Sequence, residues 1–363
     1  MGRYGTALHV HCWIAGAIAL AGVLLPATPF AAGAESRADG TKPHELRMSV
    51  TTGPALPLGS AAQRWAALLA DADPRLLAKL HPGGSLAGRD PARELLALQE
   101  GGADLAVGSA LWWSTQVRAL AVFGLPWIAP TPRELEALVA NQPLVDALAG
   151  KLDAAGVVLV ALAPLGHRQI ATTARSVRAP EDLDGLRVRA APMPLVHDTL
   201  LSLGVRPQAM SFSEAQAAFA KGALDGQEGP PSSLEAARAH ASGQRYLTEW
   251  GALADAMLFA VHKPLWTSWD ETQRETARRT ARQAIAETAA LAREQAAVSA
   301  LARNGITVLR LTPAGHAVFR AAAKDVGARW REAIGVDIIL AESRQLPFAN
   351  ASAARRPRGE LRK

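Results

Sequence analysis

The stretch "EDLDGLRVRAAPMPLVHDTLLSLGVRPQAMSFSEAQAAFAKGALDGQEGPPS", residues 181–232, decides the fold because its apolar period changes repeatedly within one short run. "LRVRA" (186–190) alternates as a half-buried strand does, and "LVHDTLLSLG" (195–204) follows a helical stripe. "VRPQAM" (205–210) is extended again, and "SEAQAAFAKG" (213–222) is helical again. Both helices end at a glycine, Gly204 and Gly222, the residue that most readily takes the left-handed conformation after a helix. Helices alternating with strands in this way predict a largely parallel sheet. The closing "ALDGQEGPP" (223–231) concentrates two acids, an amide, two glycines and two prolines. Such residues let backbone approach a neighbour closely and hold a turn by side-chain hydrogen bonds.

The same grammar precedes it. From His44 the chain gives strand "ELRMSVT", helix "SAAQRWAALLADA", strand "RLLAKLH", helix "DPARELLALQEG" and strand "ADLAVGS". Ligands of such βαβαβ units bind beyond the strands' C-terminal ends, here residues 51–53, 81–84 and 108–109. A helical stretch, "PRELEALVANQPLVDALAGKLDAAG", and an apolar strand, "VVLVALA", lead into a second unit that begins at "HRQIATT". Beyond that unit lie strands "RYLTEW" and "AMLFAVH", then residues 265–304, which hold neither glycine nor proline. Opened by a capping box Ser268-x-x-Glu271 and closed by Asn304-Gly305, this segment predicts one helix spanning roughly 50 Å, longer than a single domain of this size. The expectation is an α/β fold of two lobes, with that helix crossing both. Lobe I is expected over 35–165 with 255–295, and lobe II over 166–254 with 296–345.

Arg3, an apolar run over 13–25, Pro26 and the small residues Ala32-Gly33-Ala34 form a secretory signal peptide with an A-x-A cleavage pattern. The run is shorter than the roughly 20 residues a bilayer requires, so residues 1–34 are expected to be removed before Glu35 and the protein to be periplasmic. The sole cysteine, Cys12, leaves with them, which excludes disulfides, thiolate catalysis and cysteine metal sites from the mature chain. The net charge of +6 sits mostly at the ends, on Arg3 and on the tail "RRPRGELRK". A nearly neutral folded part argues against nucleic-acid or membrane binding, and residues 346–363 are expected to be a basic, disordered tail.

Enzymatic motifs are missing: no G-x-S-x-G, G-x-G-x-x-G or Walker A sequence, and no histidine pair at metal-ligand spacing in the mature chain. His81, His167 and His262 end apolar strands, where satisfied core or rim histidines are common. No cofactor and no metal is expected. Asp225 and Glu228 remain as an acid–base pair for an alternative reading, an exported hydrolase or lyase. Arg187 and Arg189 share one face of their strand by its period of two. Solvated surface is one reading of them; a guanidinium fork recognising a carboxylate is the other.

Residues 181–232 resemble the signature region of DctP-type substrate-binding proteins of TRAP (tripartite ATP-independent periplasmic) transporters. The pattern D-L-x-G-L-(K/R)-x-R, a helix ending in L-G, a strand, F-S-E, a helix and D-G-Q-E is present, and weaker similarity covers most of the mature chain. The resemblance implies that Arg189 forms the salt bridge to a ligand carboxylate, that Arg168 of "GHRQIATT" assists it, and that the Phe212 ring packs on the ligand. It also implies a two-lobed, periplasmic-binding-protein-like α/β fold and places "DGQE" at its cleft. Gly229 stands where the family usually has an asparagine that offers its amide to the ligand. Arg89 and Ser109 occupy positions that carry acids in relatives specific for sialic acid, which disfavours a polyhydroxylated sugar acid. Arg89 is then a candidate for a second anionic group, and Trp112 or Trp113 for an apolar wall. The implied partners are a small organic acid and the TRAP membrane permease subunits, and the protein is expected to be a monomer that catalyses no reaction. A binding protein of an ABC-type or other transporter is the alternative within the class.

Overall fold

The computed structural model describes residues 45–335 and 337–339, apart from the side chains of Phe212 and Ser213. The expected signal peptide with its cleavage point, and the basic tail, lie outside the described residues.

The first unit comprises β1 (Leu46–Ser49), α1 (Pro57–Ala72), β2 (Ala78–His81), α2 (Glu94–Gln99) and β3 (Leu105–Ser109). β1 pairs in parallel with both other strands, as the βαβαβ pattern requires. Short α3 (Ala110–Trp113), α4 (Pro132–Val139) and α5 (Gln142–Ala154) follow. The helical stretch divides at Asn141, whose side chain accepts the Leu144 amide and starts a new helix. Then come β4 (Val157–Thr172), β5 (Arg187–Ala190), α6 (Pro194–Ser202), β6 (Arg206–Ala209), α7 (Phe212–Ala220), β7 (Gly226–Gly229), α8 (Pro231–Ala236) and β8 (Tyr246–His262). β5 pairs in parallel with β6 and β7, repeating the arrangement of the first unit. The chain continues through α9 (Lys263–Ser268), α10 (Glu271–Thr288), α11 (Ala290–Arg303), β9 (Thr307–Arg310), α12 (Pro313–Ala322) and α13 (Lys324–Ile334).

One mixed sheet contains the described strands in the order β2-β1-β3-β8-β4-β7-β5-β6, with β9 alongside β8. The two parallel units thus flank a central antiparallel pair, β4 and β8. Both faces are covered: Ala106 and Val107, adjacent on β3, enter two different apolar clusters.

The units also share a clamp. The Arg47 amide donates to Asp104 Oδ2 at 2.7 Å, its guanidinium to both oxygens of Asp104, and its Nη2 to the Gly101 carbonyl. The Arg187 amide donates to Asp225 Oδ2 at 2.9 Å, its guanidinium to both Asp225 oxygens, and its Nη2 to the Gly222 carbonyl. In each unit an arginine at the start of the first strand grips a G-x-x-D segment leading into the third. This accounts for the acid in "ALDG": it fixes the turn that aligns β7 with β5.

Two expectations about continuity need correction. "VVLVALA" and "HRQIATT" are one strand, β4, and "RYLTEW" and "AMLFAVH" are one strand, β8. Register shifts between Leu159/Ala161, Pro164/Gly166 and Arg168/Ile170 let β4 continue past residues that otherwise end strands. Conversely, the segment 265–304 is not one helix. Trp269 is extended and nearly buried against Trp266, so α9 stops and Asp270, not Ser268, caps α10 in a box with Gln273. A second break falls at Ala289, in the left-handed region at φ 47°. An alanine held there costs about 1–3 kcal/mol; Ala284 before it and Ala290 after it are buried in one apolar cluster.

Candidate functional site

The strand ends named by the parallel topology converge. A cavity of about 760 Å³ is lined by Thr51 and Thr52 beyond β1, Ser109 ending β3, Arg189 and Ala191 at the end of β5, and Met210 beyond β6. Pro230 and Ser232, which follow β7, complete it on that side. The ligand-facing ends expected at 51–53 and 108–109 are therefore there, whereas His81 is not among the lining residues.

Arg189 sits on β5 with 5% of its surface exposed, and its Nε donates to the Met210 carbonyl at 3.0 Å. Burial pushes its pKa down to about 10, and the Glu228 carboxylate pulls against that shift. The guanidinium stays charged at neutral pH. Arg168, on β4, is equally buried and lines the same cavity. Its Nε and Nη2 fork onto both oxygens of Glu228, the latter at 3.0 Å, in a pair with almost no solvent contact. Burial opposes the Arg168 charge, but Glu228 more than offsets it.

Of the other sequence candidates, Arg89, Ser109 and Trp112 also line the cavity. Arg89 is exposed, at a left-handed φ of 64°, so it stands at the rim. The tryptophans divide their work: Trp112 is partly buried on the cavity wall, whereas Trp113 is fully buried and donates to Glu94 Oε2 at 3.2 Å. Gly108 makes room for that indole, since a Cβ there would sit 2.1 Å from the ring. Gly229 is buried in β7, paired with Gln169, and is not among the lining residues. The Phe212 side chain lies outside the described residues.

Asp225 and Glu228 do not form an acid–base pair. Each is engaged by its own arginine, Arg187 and Arg168, and neither lines the cavity. The histidines are mixed: His167 and His262 bond to the carbonyls of Ala129 and Leu98, while Nε2 of His81 has no partner.

Sequence reasoning missed two acids. Asp255, from the middle of β8, accepts the Ser109 hydroxyl at 2.6 Å and the amides of Leu111 and Ala256. Burial raises its pKa to about 6 against the lowering effects of Ser109 and Arg168. Glu294, on α11, accepts the hydroxyl and the amide of Ser232 at 2.5 and 2.9 Å. Burial raises it to about 7. Both line the cavity. Asp255 left a sequence signal, a lone acid inside the apolar run "GALADAMLFAV"; Glu294, in "AREQ", looks like any solvated helix residue.

The family model for DctP, bacterial extracellular solute-binding protein, family 7, matches residues 48–333. The chain belongs to this family. Among solved structures, a TRAP periplasmic solute-binding protein of Ralstonia eutropha H16, with bound (S)-2-acetolactate, is 38% identical. That match covers 82% of this chain and 97% of that one, with a TM-score of 0.75. An extracytoplasmic solute receptor of Bordetella pertussis that binds pyroglutamic acid shares the fold, at 21% identity and a TM-score of 0.74 over 82% of this chain and 99% of that one. The C4-dicarboxylate-binding periplasmic protein DctP of Rhodobacter capsulatus is 33% identical over 39% of this chain and 42% of that protein. The matches to the first curated relatives span only about a third to a half of those proteins' length. The fold is thus the two-lobed α/β fold of TRAP solute-binding protein structures.

Proposed function

We propose that this family 7 protein captures a small organic monocarboxylate in the cavity and delivers it to a TRAP permease. The observation that carries the reading is Arg189: a charged guanidinium, nearly buried, at a strand's C-terminal end on the cavity wall. Such a fork suits bidentate binding of one carboxylate. The internal repeat supports a single anionic group. Two residues past the clamp arginine, the second unit has Arg189 and the first has Ser49, buried and bonded to Glu94. Arg168 is already committed to Glu228, so its part is to add positive charge and hold Arg189's surroundings. Trp112, Leu165 and Ala191 offer apolar wall to a short carbon chain.

The acetolactate-bound relative makes a small branched hydroxy- or oxo-acid the leading candidate. Purification from the periplasm, followed by native mass spectrometry, reads the mature start and any bound acid together. A chain beginning at Glu35 with an acid of about this size is expected; retention of residues 1–34, or an apo protein that shifts thermally with none of the acids, counts against the proposal. The thermal panel is (S)-2-acetolactate, lactate, pyruvate, 2-oxoisovalerate, malate and succinate. A preference for the two dicarboxylates would move the second anionic contact to Arg89.

The lobes are proposed to close about β4 and β8, with boundaries near 165/166 and 254/255. There the register shifts between Pro164 and Gly166, and Gly166 pairs with Asp255. Gly166 has φ 146°, and a Cβ would press on Glu294 at 2.9 Å. Small-angle scattering should show a smaller radius of gyration at ligand saturation; an unchanged radius with binding confirmed would remove the hinge.

A further inference from the structure

We propose that Glu294 takes up a proton when an organic anion enters the cavity, so that the protein binds its ligand as carboxylate plus proton. The inference rests on the carboxylate reading above and extends it to a second, ionic component of the same site.

The buried groups at the cavity are two guanidiniums, Arg168 and Arg189, against three carboxylates, Glu228 behind Arg168 and Asp255 and Glu294 on the wall. Fully ionised, they already hold one negative charge in excess. An arriving carboxylate makes it two, inside walls that water no longer screens. One proton restores the original balance.

Geometry selects the residue that accepts it. Asp255 receives three hydrogen bonds, from the Ser109 hydroxyl and two backbone amides, which hold it in its ionised form. Glu294 receives two, both from Ser232, and keeps more acceptor capacity for a proton. The elements packed against α11 are α8, β4, β9 and α1. They bring Glu235 from α8, Arg168 and His167 from β4, Arg310 from β9, and Arg64 and Asp71 from α1. Arg310 and Arg64 pair with Glu249 and Glu287 at the surface, and His167 is bonded to the Ala129 carbonyl. The cavity is also lined by Arg189, by Asp255, whose strand partner Gly166 abuts Glu294, and by the rim residues Arg89 and Asp90. Among all of these, the charge that acts on the Glu294 carboxyl is that of Arg168. A ligand carboxylate drawn to the same arginines weakens that support, and burial already places Glu294 near neutrality, at about 7.

The sign follows from linkage. A group whose pKa rises on binding leaves affinity flat below its free-protein pKa and lowers it as pH climbs toward the bound-state value. Affinity should therefore be level from about pH 5.5 to 6.5 and fall roughly three- to tenfold between pH 7 and 8.

Calorimetry of the full mature protein tests this, using (S)-2-acetolactate or, if another acid of the panel binds more tightly, that acid. Enthalpies in phosphate and Tris at one pH yield the protons exchanged. Uptake of about half a proton at pH 7, growing toward pH 8, is expected. Glu294→Gln should abolish the uptake and flatten the pH dependence, whereas Asp255→Asn should keep both. Binding of a panel acid with enthalpies independent of buffer overturns the proton proposal and leaves the carboxylate reading standing. Uptake that survives Glu294→Gln in a folded protein overturns the assignment to this residue. Failure of every panel acid to bind overturns both.

Discussion

Arg189→Ala is expected to weaken carboxylate binding by roughly thirty-fold to several thousand-fold, the equivalent of about 2–5 kcal/mol for removing one partner of a buried charge pair. The residue is 5% exposed, and its Nε is tied to the Met210 carbonyl, so the guanidinium is held in place before ligand arrives. Preorganisation of that kind makes the loss a loss of binding energy and not of ordering cost. Arg189→Lys should recover only part of the affinity, because an ammonium supplies charge without the planar fork. Arg187→Ala is the contrast. Its guanidinium grips Asp225 and the Gly222 carbonyl away from the cavity, so affinity should change little. Calorimetry decides: a folded Arg189→Ala protein that binds within threefold of wild type refutes the carboxylate assignment.

Glu228→Ala should be the most destabilising single change at the site. It leaves Arg168 charged, 5% exposed and without the carboxylate that offsets its burial. Breaking such a pair from one side costs about 3–5 kcal/mol, a large share of a typical domain's stability. Urea unfolding measures it, with an unchanged m-value as the sign that the effect lies in the folded state. Changing both partners, as in Arg168→Met with Glu228→Leu, should recover much of the loss, since no lone charge then remains buried. A loss under about 1 kcal/mol for Glu228→Ala would mean that water reaches Arg168 and that the pair is not the structural floor of the cavity.

The sequence made the two parallel units legible because their information is local. Strand period, helix stripe and terminal glycines all lie within a few residues of each other, and the structure has β1 to β3 and β5 to β7 as that pattern predicts. What connects the units was not legible. Pro164, Gly166 and Gly251 look like breaks, yet the strands continue: Pro164 and Gly166 pair with Ala256 and Asp255 of β8, and Gly251 falls at the register shift between the pairs Arg168–Leu253 and Ile170–Thr248. The opposite error occurred at Ala289, where no breaker is present in the sequence and the helix nonetheless turns, with buried Thr288 and Ala290 on either side. At the site, the convergence of Arg168, Arg189, Arg89, Ser109 and Trp112 followed from strand ends and a family pattern. Asp255 and Glu294 reach the same cavity from β8 and α11, elements whose place in the sheet no local pattern reports.

The central strand pair also sets an order on folding. β3 ends at Ser109, but the neighbour that completes its hydrogen bonding is the second half of β8, from Met257 to Val261. As the chain emerges from its N-terminus, β1, β2 and β3 can associate early, yet one flank of β3 stays unpaired until well over a hundred further residues have appeared. Such non-local closure slows folding, because loop entropy must be overcome before the pairing stabilises anything. Until then an apolar edge, Leu105 to Val107, stands open, a stretch on which the unfinished chain is prone to pair with the wrong neighbour.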